Sequence, residues 1–92
     1  MKEFKKYEHI SIFKGDLEDY TKELEKFEKQ FNKFKITKIE KLGIKNLAYE
    51  IKKNKKGYFI VIEFEGLESN IAKIEKYCRE NDNILKFITI RK

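Results

Sequence analysis

The sequence predicts an α+β domain whose four strands and two helices follow the order β-α-β-β-α-β. Three observations carry that expectation. Apolar residues recur at strand spacing from Leu42 onward, and Tyr58 to Phe64 form an unbroken β-branched and aromatic run. Two other segments step by three and four residues, the period of an amphipathic helix. Hydrophobic residues make up 40% of the 92 and aromatics 14%, with 8 Phe and 5 Tyr, so a real core is available despite 41% charged residues.

Taken in order, residues 4–13 (FKKYEHISIF) alternate as a first strand, closed by Gly15-Asp16. Asp16 is a good N-cap for a helix whose apolar stripe is Leu17, Tyr20, Leu24, Phe27, Phe31 and Phe34. Residues 35–52 and 57–65 read as two strands joined by a basic turn. Gly57 would supply backbone freedom at the hairpin exit, and Asn54 tolerates the left-handed region. After Gly66, the stripe Leu67, Ile71, Ile74 and Cys78 marks a second helix ending near Asn81, and residues 84–90 form the last strand. Right-handed crossovers place both helices on one face of a four-stranded antiparallel sheet, a ferredoxin-like sandwich. Consecutive apolar residues such as Ile12-Phe13 and Phe87-Ile88 leave the other face apolar too, so it is expected to be covered by a partner. No linker or repeat divides residues 1–92, which are expected to form a single domain.

The net charge of +6 is unevenly distributed. Residues 41–57 hold six lysines against Glu50, a local +5, and residues 83–92 add +3. Residues 16–33 carry six acids against four lysines, a local −2, and residues 67–82 come to −1. Cations therefore gather on strands and at the chain ends, as on a phosphate-binding surface. Solvated lysine is the ordinary alternative for any single position. The four lysines around residues 52–56 must project into solvent or onto an anion, which makes the hairpin a candidate RNA contact.

Enzyme chemistry finds little support. One His and one Cys are too few for a metal site built on those ligands, and neither has a nucleophile context. His9 reads as a structural or partner-facing strand residue and Cys78 as packing. No phosphate-cradling glycine loop exists, and the acyl-phosphate hydrolases of this topology need an arginine loop where only Lys14-Gly15 stands. No cofactor, metal or small-molecule substrate is expected. Apolar runs fall short of the roughly 18 residues a membrane span needs, and the lone Cys78 fits a reducing cytoplasm.

Two RNA-binding resemblances present themselves. Lys56 to Phe64 begins like the third-strand signature of the RNA recognition motif, and Ile12 to Leu17 loosely echoes its first, but Phe59 and Ile60 depart from the required residues. Lys6-Tyr7-Glu8, Lys38 to Gly43, Leu47 to Lys52, Gly57-Tyr58-Phe59 and Asn81 to Lys92 carry a closer resemblance, in order and spacing over essentially the whole length. By these segments the chain resembles the bacterial small-subunit ribosomal protein family numbered six.

The resemblance implies a non-enzymatic ribosomal protein of the cytoplasmic small subunit. It implies binding to the central domain of small-subunit rRNA together with the ribosomal protein numbered eighteen. Carried residue by residue, Leu47, Ala48, Tyr49, Phe59 and Val61 become partner contacts, and Lys5, Lys6, Tyr7, Lys86, Arg91 and Lys92 become RNA contacts. Glu50 departs from a proline frequent in the family, Phe34-Lys35 from a glycine-containing turn, and His9 and Ser11 from apolar strand residues. A ligand-sensing regulatory domain of the same fold is a further alternative, which the basic hairpin does not favour.

Overall fold

A computed structural model describes residues 4–92; the first three residues of the expected 1–92 domain lie outside it. The observed elements are β1 (Lys5–Lys14), α1 (Tyr20–Lys29), β2 (Lys35–Ile51), β3 (Asn54–Gly66), α2 (Glu68–Glu80) and β4 (Ile84–Arg91). They realise the expected ferredoxin-like order. The sheet runs β2-β3-β1-β4 with every neighbouring pair antiparallel.

The helical layer packs on one face of this sheet around Phe13, Phe27, Phe31, Phe64, Ile60, Ile62 and Ile74. Rings dominate the contacts. Phe27 meets Phe13 edge-on at 5.3 Å and Phe31 at 5.2 Å, and Phe31 meets Phe64 at 5.2 Å. Each such pair adds about 0.5–1.5 kcal/mol beyond simple area burial.

Three local features differ from the sequence reading. The first helix is shorter: it starts at Tyr20, capped by the Asp19 carboxylate accepting from Lys22 N–H at 3.1 Å, rather than at Asp16. It ends at Lys29. Phe31 and Phe34 keep their apolar spacing in tighter turns, with Phe31 N–H donating to Glu28 O and Phe34 N–H to Phe31 O. A stripe with steps of three and four does not distinguish α-helix from successive turns of this kind.

The hairpin turn is Lys52-Lys53, and both residues are left-handed, with φ of 46° and 67°. Ile51 pairs with Asn54, whose side-chain amide donates to Lys52 O at 3.0 Å. Two successive left-handed residues give the turn that matches the twist of paired strands. Gly57 therefore lies inside β3, opposite Lys14 and Lys45, and not at the hairpin exit. Its role is close approach, because a side chain there would overlap the Ile12 Cγ2 methyl.

The third difference concerns β1, where Tyr7, His9, Ser11 and Phe13 point into the core and Ile10 and Ile12 point away. His9 is fully buried, tilted 5.6 Å from both Phe27 and Phe31. Its Nδ1 lies 2.8 Å from Thr89 Oγ1 and its Nε2 2.6 Å from Ser11 Oγ. One ring nitrogen donates and the other accepts, so the neutral imidazole is fully satisfied. Burial alone lowers its pKa from 6.5 to about 4. Cys78 Sγ lies 3.7 Å from His9 Nε2, and burial pushes its thiol up to about 11. Both are packing groups of the interior.

Two outcomes follow from this interior. Because the native imidazole resists protonation, the unfolded chain binds the extra proton between pH 6.5 and about 4. Stability is therefore full above pH 6.5 and falls as pH drops through that window, by up to about 3 kcal/mol. An NMR titration of the sole histidine should show a pKa near 4; titration near 6.5 would contradict the buried placement. Gly57→Ala should cost about 1–3 kcal/mol in urea denaturation, and less in an Ile12→Ala background, because the two side chains compete for one space. Additive costs would mean that Ile12 is not what excludes a side chain at position 57.

Candidate partner and nucleic-acid surface

The face away from the helices is read off the register, since residues paired directly across strands share a face. One row from β4 to β2 runs Lys86, Ile12, Phe59, Gly43, and the next runs Ile88, Ile10, Val61, Glu40. The third is Ile90, Glu8, Glu63, Lys38. The first two rows are apolar across the central strands, whereas the third is charged there. Ile88 is 51% exposed and Ile90 43%, an unusual state for isoleucine unless something covers it.

The end of β2 curls toward this face. Leu47, Ala48, Tyr49 and Phe59 line one shallow depression of about 320 Å³, together with Ile12, Ile51 and Lys86. Four of the five expected partner-contact residues thus converge. The fifth, Val61, follows Phe59 on the same face of β3. Tyr49 is 63% exposed, and its hydroxyl accepts from Lys86 Nζ at 3.1 Å. The same ammonium stands 5.8 Å from the ring centroid, a cation–π distance. Gly43, left-handed at φ 81° and set at a register shift, leaves the Phe59 ring open on the β2 side.

The sequence reading used Ile12-Phe13 and Phe87-Ile88 to infer an apolar second face but assigned neither Ile12 and Ile88 nor Ile10, Ile51 and Ile90 as contacts. The signal was the apolar parity of β1, which the polar His9 and Ser11 disguised.

The six RNA candidates separate. Tyr7 is a correction: it is 6% exposed, stacked on Phe64 at 5.7 Å, because its parity on β1 points it into the core. Its ring is on no outer surface. Lys86 lines the depression, apart from the other candidates, and shares a second hollow with Lys52 and Arg79. Lys5, Lys6, Arg91 and Lys92 gather where β1 begins and β4 ends, with Lys92 N–H donating to Lys6 O at 2.9 Å.

Two of those four are already paired. Lys5 Nζ is 3.6 Å from Glu68, and Lys92 Nζ contacts Glu63 and lies 3.6 Å from Glu8. The hydrogen bond from Lys92 holds the Glu63 carboxyl below its ordinary pKa, and raises that of Lys92. Among the described residues, Lys6 and Arg91 are in no ion pair. Lys6 borders the bare face of the sheet and Arg91 the helical face, as their partners Glu65 and Tyr7 require.

Among the described residues no group of His, Cys, Asp and Glu could hold a metal ion, and no helix is long and apolar enough to cross a membrane.

Known proteins agree with this geometry. A family model described as ribosomal protein S6 matches residues 6–91. The small ribosomal subunit protein bS6 of Beijerinckia indica is 33% identical over 90 residues, covering 92% of this chain and 59% of that protein. The bS6 protein of Helicobacter hepaticus is 52% identical over 50 residues, 54% of this chain and 36% of its own length. The chain thus spans less than two thirds of the length of these relatives. The crystal structure of 30S ribosomal protein S6 from Thermotoga maritima superimposes with a TM-score of 0.90 at 29% identity, covering 98% of this chain and 89% of that one. The match over nearly every described residue, in sequence and in fold, places this chain in the ribosomal protein S6 family.

Proposed function

We propose that this protein is a non-enzymatic structural component of the cytoplasmic small ribosomal subunit. It binds the central domain of small-subunit rRNA together with the ribosomal protein numbered eighteen. The observation that supports this best is the depression in which Leu47, Ala48, Tyr49 and Phe59 converge beside exposed isoleucines. An apolar patch with an aromatic–cation pair at its rim suits a protein partner. Isoleucine and valine dominate the two central rows, which favours protein burial over the base stacking of an RNA recognition motif.

The RNA contribution rests on cations at the chain-end pole. Lys6 and Arg91 neutralise phosphates directly, whereas Lys5 and Lys92 do so only by exchanging a carboxylate for a phosphate. This part of binding depends on counterion release and weakens with salt. Placement comes from shape and from the protein partner, since duplex RNA offers side chains little base readout.

Tyr49→Ala should weaken pairing with the partner protein by about tenfold or more in calorimetric titration. The fold should lose no more than about 0.5 kcal/mol, as for other exposed positions. Undiminished pairing would reduce Tyr49 to a packing residue. Lys6→Ala combined with Arg91→Ala should flatten the salt dependence of binding to a central-domain rRNA fragment, lowering the slope by about 1.5. An unchanged slope would remove both residues from the RNA surface.

A further inference from the structure

A groove on the helical face, opposite the bare side of the sheet, is used by none of the contacts above. It lies between the end of α1 and the first half of α2 and encloses about 320 Å³. Three ammonium groups border it: Lys29 and Lys33 from the α1 side, and Lys73 from α2. Gln30, Asn32 and Asn70 complete the polar lining, with the Gln30 amide also donating to Lys26 O at 3.2 Å. Phe34 and Ile74 form its apolar wall.

Several features separate this groove from a generic lysine surface. Among the described residues no carboxylate lines it, although acids are plentiful elsewhere on both helices. Among the described residues none of the three ammoniums is in an ion pair. Glu68, the acid of the first α2 turn, is engaged by Lys5 instead. The wall is fixed: Phe34 packs on Phe64 at 4.9 Å and on Phe31 at 6.1 Å, and fills the space a side chain on Gly66 would take.

We propose that this groove binds the phosphodiester backbone of RNA, as a site separate from the sheet. The three ammoniums match phosphate charge, and amide N–H groups donate to phosphate and ribose oxygens. Phe34 and Ile74 give an apolar surface for a ribose or base edge. Charge complementarity selects this occupant, because a site with three cations and no acid repels cationic ligands and leaves apolar ones facing desolvated ammoniums. The sheet and the groove lie on opposite sides of the molecule. RNA can therefore occupy one while a protein occupies the other, so the site goes beyond the function proposed above.

The test uses the full chain, labelled with nitrogen-15 and titrated with a single-stranded oligoribonucleotide of about eight nucleotides. Separate arms use inorganic phosphate and an acidic poly-glutamate peptide. The oligoribonucleotide should shift the amide signals of residues 29–34 and 70–74. Lys33→Ala with Lys73→Ala should weaken its binding about tenfold and lower the salt slope by about 1.5. Lys22→Ala with Lys76→Ala makes the same charge change outside the groove and should alter affinity less than about twofold.

The proposal is overturned if those signals stay still, or if only inorganic phosphate moves them. It is also overturned if the acidic peptide binds more tightly than RNA, or if both double variants lose equally. Pairing of the Lys33→Ala, Lys73→Ala variant with the protein partner is measured in parallel. That pairing should be unchanged; its loss would place the protein partner in the groove and overturn the proposal as well.

Discussion

The alternation of β1 and β3, the two central strands, is the constraint on which the rest of this protein depends. Successive side chains on a strand point to opposite faces, so one choice of parity assigns every residue of both strands at once. Tyr7, His9, Ser11 and Phe13 go inward with Tyr58, Ile60, Ile62 and Phe64, and Ile10, Ile12, Phe59 and Val61 go outward. A slip of one residue would bury Glu8 and Glu63 and expose Phe13 and Phe64. The His9 hydrogen bonds to Ser11 and Thr89 reinforce the choice, since they exist only when all three share the inner face. The near-contact of Gly57 with Ile12 fixes the same register from the outer side.

That parity gives the molecule two unlike surfaces. The bare face of the sheet carries isoleucine, valine and phenylalanine across its central strands and turns charged only in its last row. The helical face is polar, with a cationic groove between α1 and α2. Charge is locally compensated where carboxylates are at hand, as Lys92 is by Glu63 and Glu8. Among the described residues it is left without an ion pair at Lys6, Arg91 and the groove lysines. An apolar face and separate cations are the two kinds of surface that the proposed binding to a protein and to RNA would use.

The element order was readable because periodicity is a local property. The step pattern of α1 and the β-branched run of β3 each declare themselves within a few residues. Boundaries were less readable. The α1 stripe continues through turns to Phe34, and nothing in its spacing marks Lys29 as the last helical residue. The hairpin turn fell on two lysines, residues that rarely adopt positive φ, so the glycine three residues beyond Asn54 drew the assignment away. The facing of β1 was hidden for a related reason. A buried histidine and serine satisfied by tertiary hydrogen bonds interrupt the apolar alternation, so the sequence left the inner face of β1 open, and Tyr7 was carried as an RNA contact from the resemblance alone. The candidate partner contacts Leu47, Ala48, Tyr49 and Phe59 came from resemblance, and the structure shows the depression that brings them together.

The central claim is that the bare sheet face is an interface, and isoleucine methyl NMR tests it most directly. Ile10, Ile12, Ile88 and Ile90 lie on that face, while Ile60, Ile62 and Ile74 are buried on the other. Addition of the ribosomal protein numbered eighteen, with a central-domain rRNA fragment, should shift the first group and leave the second nearly unmoved. Shifts confined to the buried set, or no shift in either, would contradict the account.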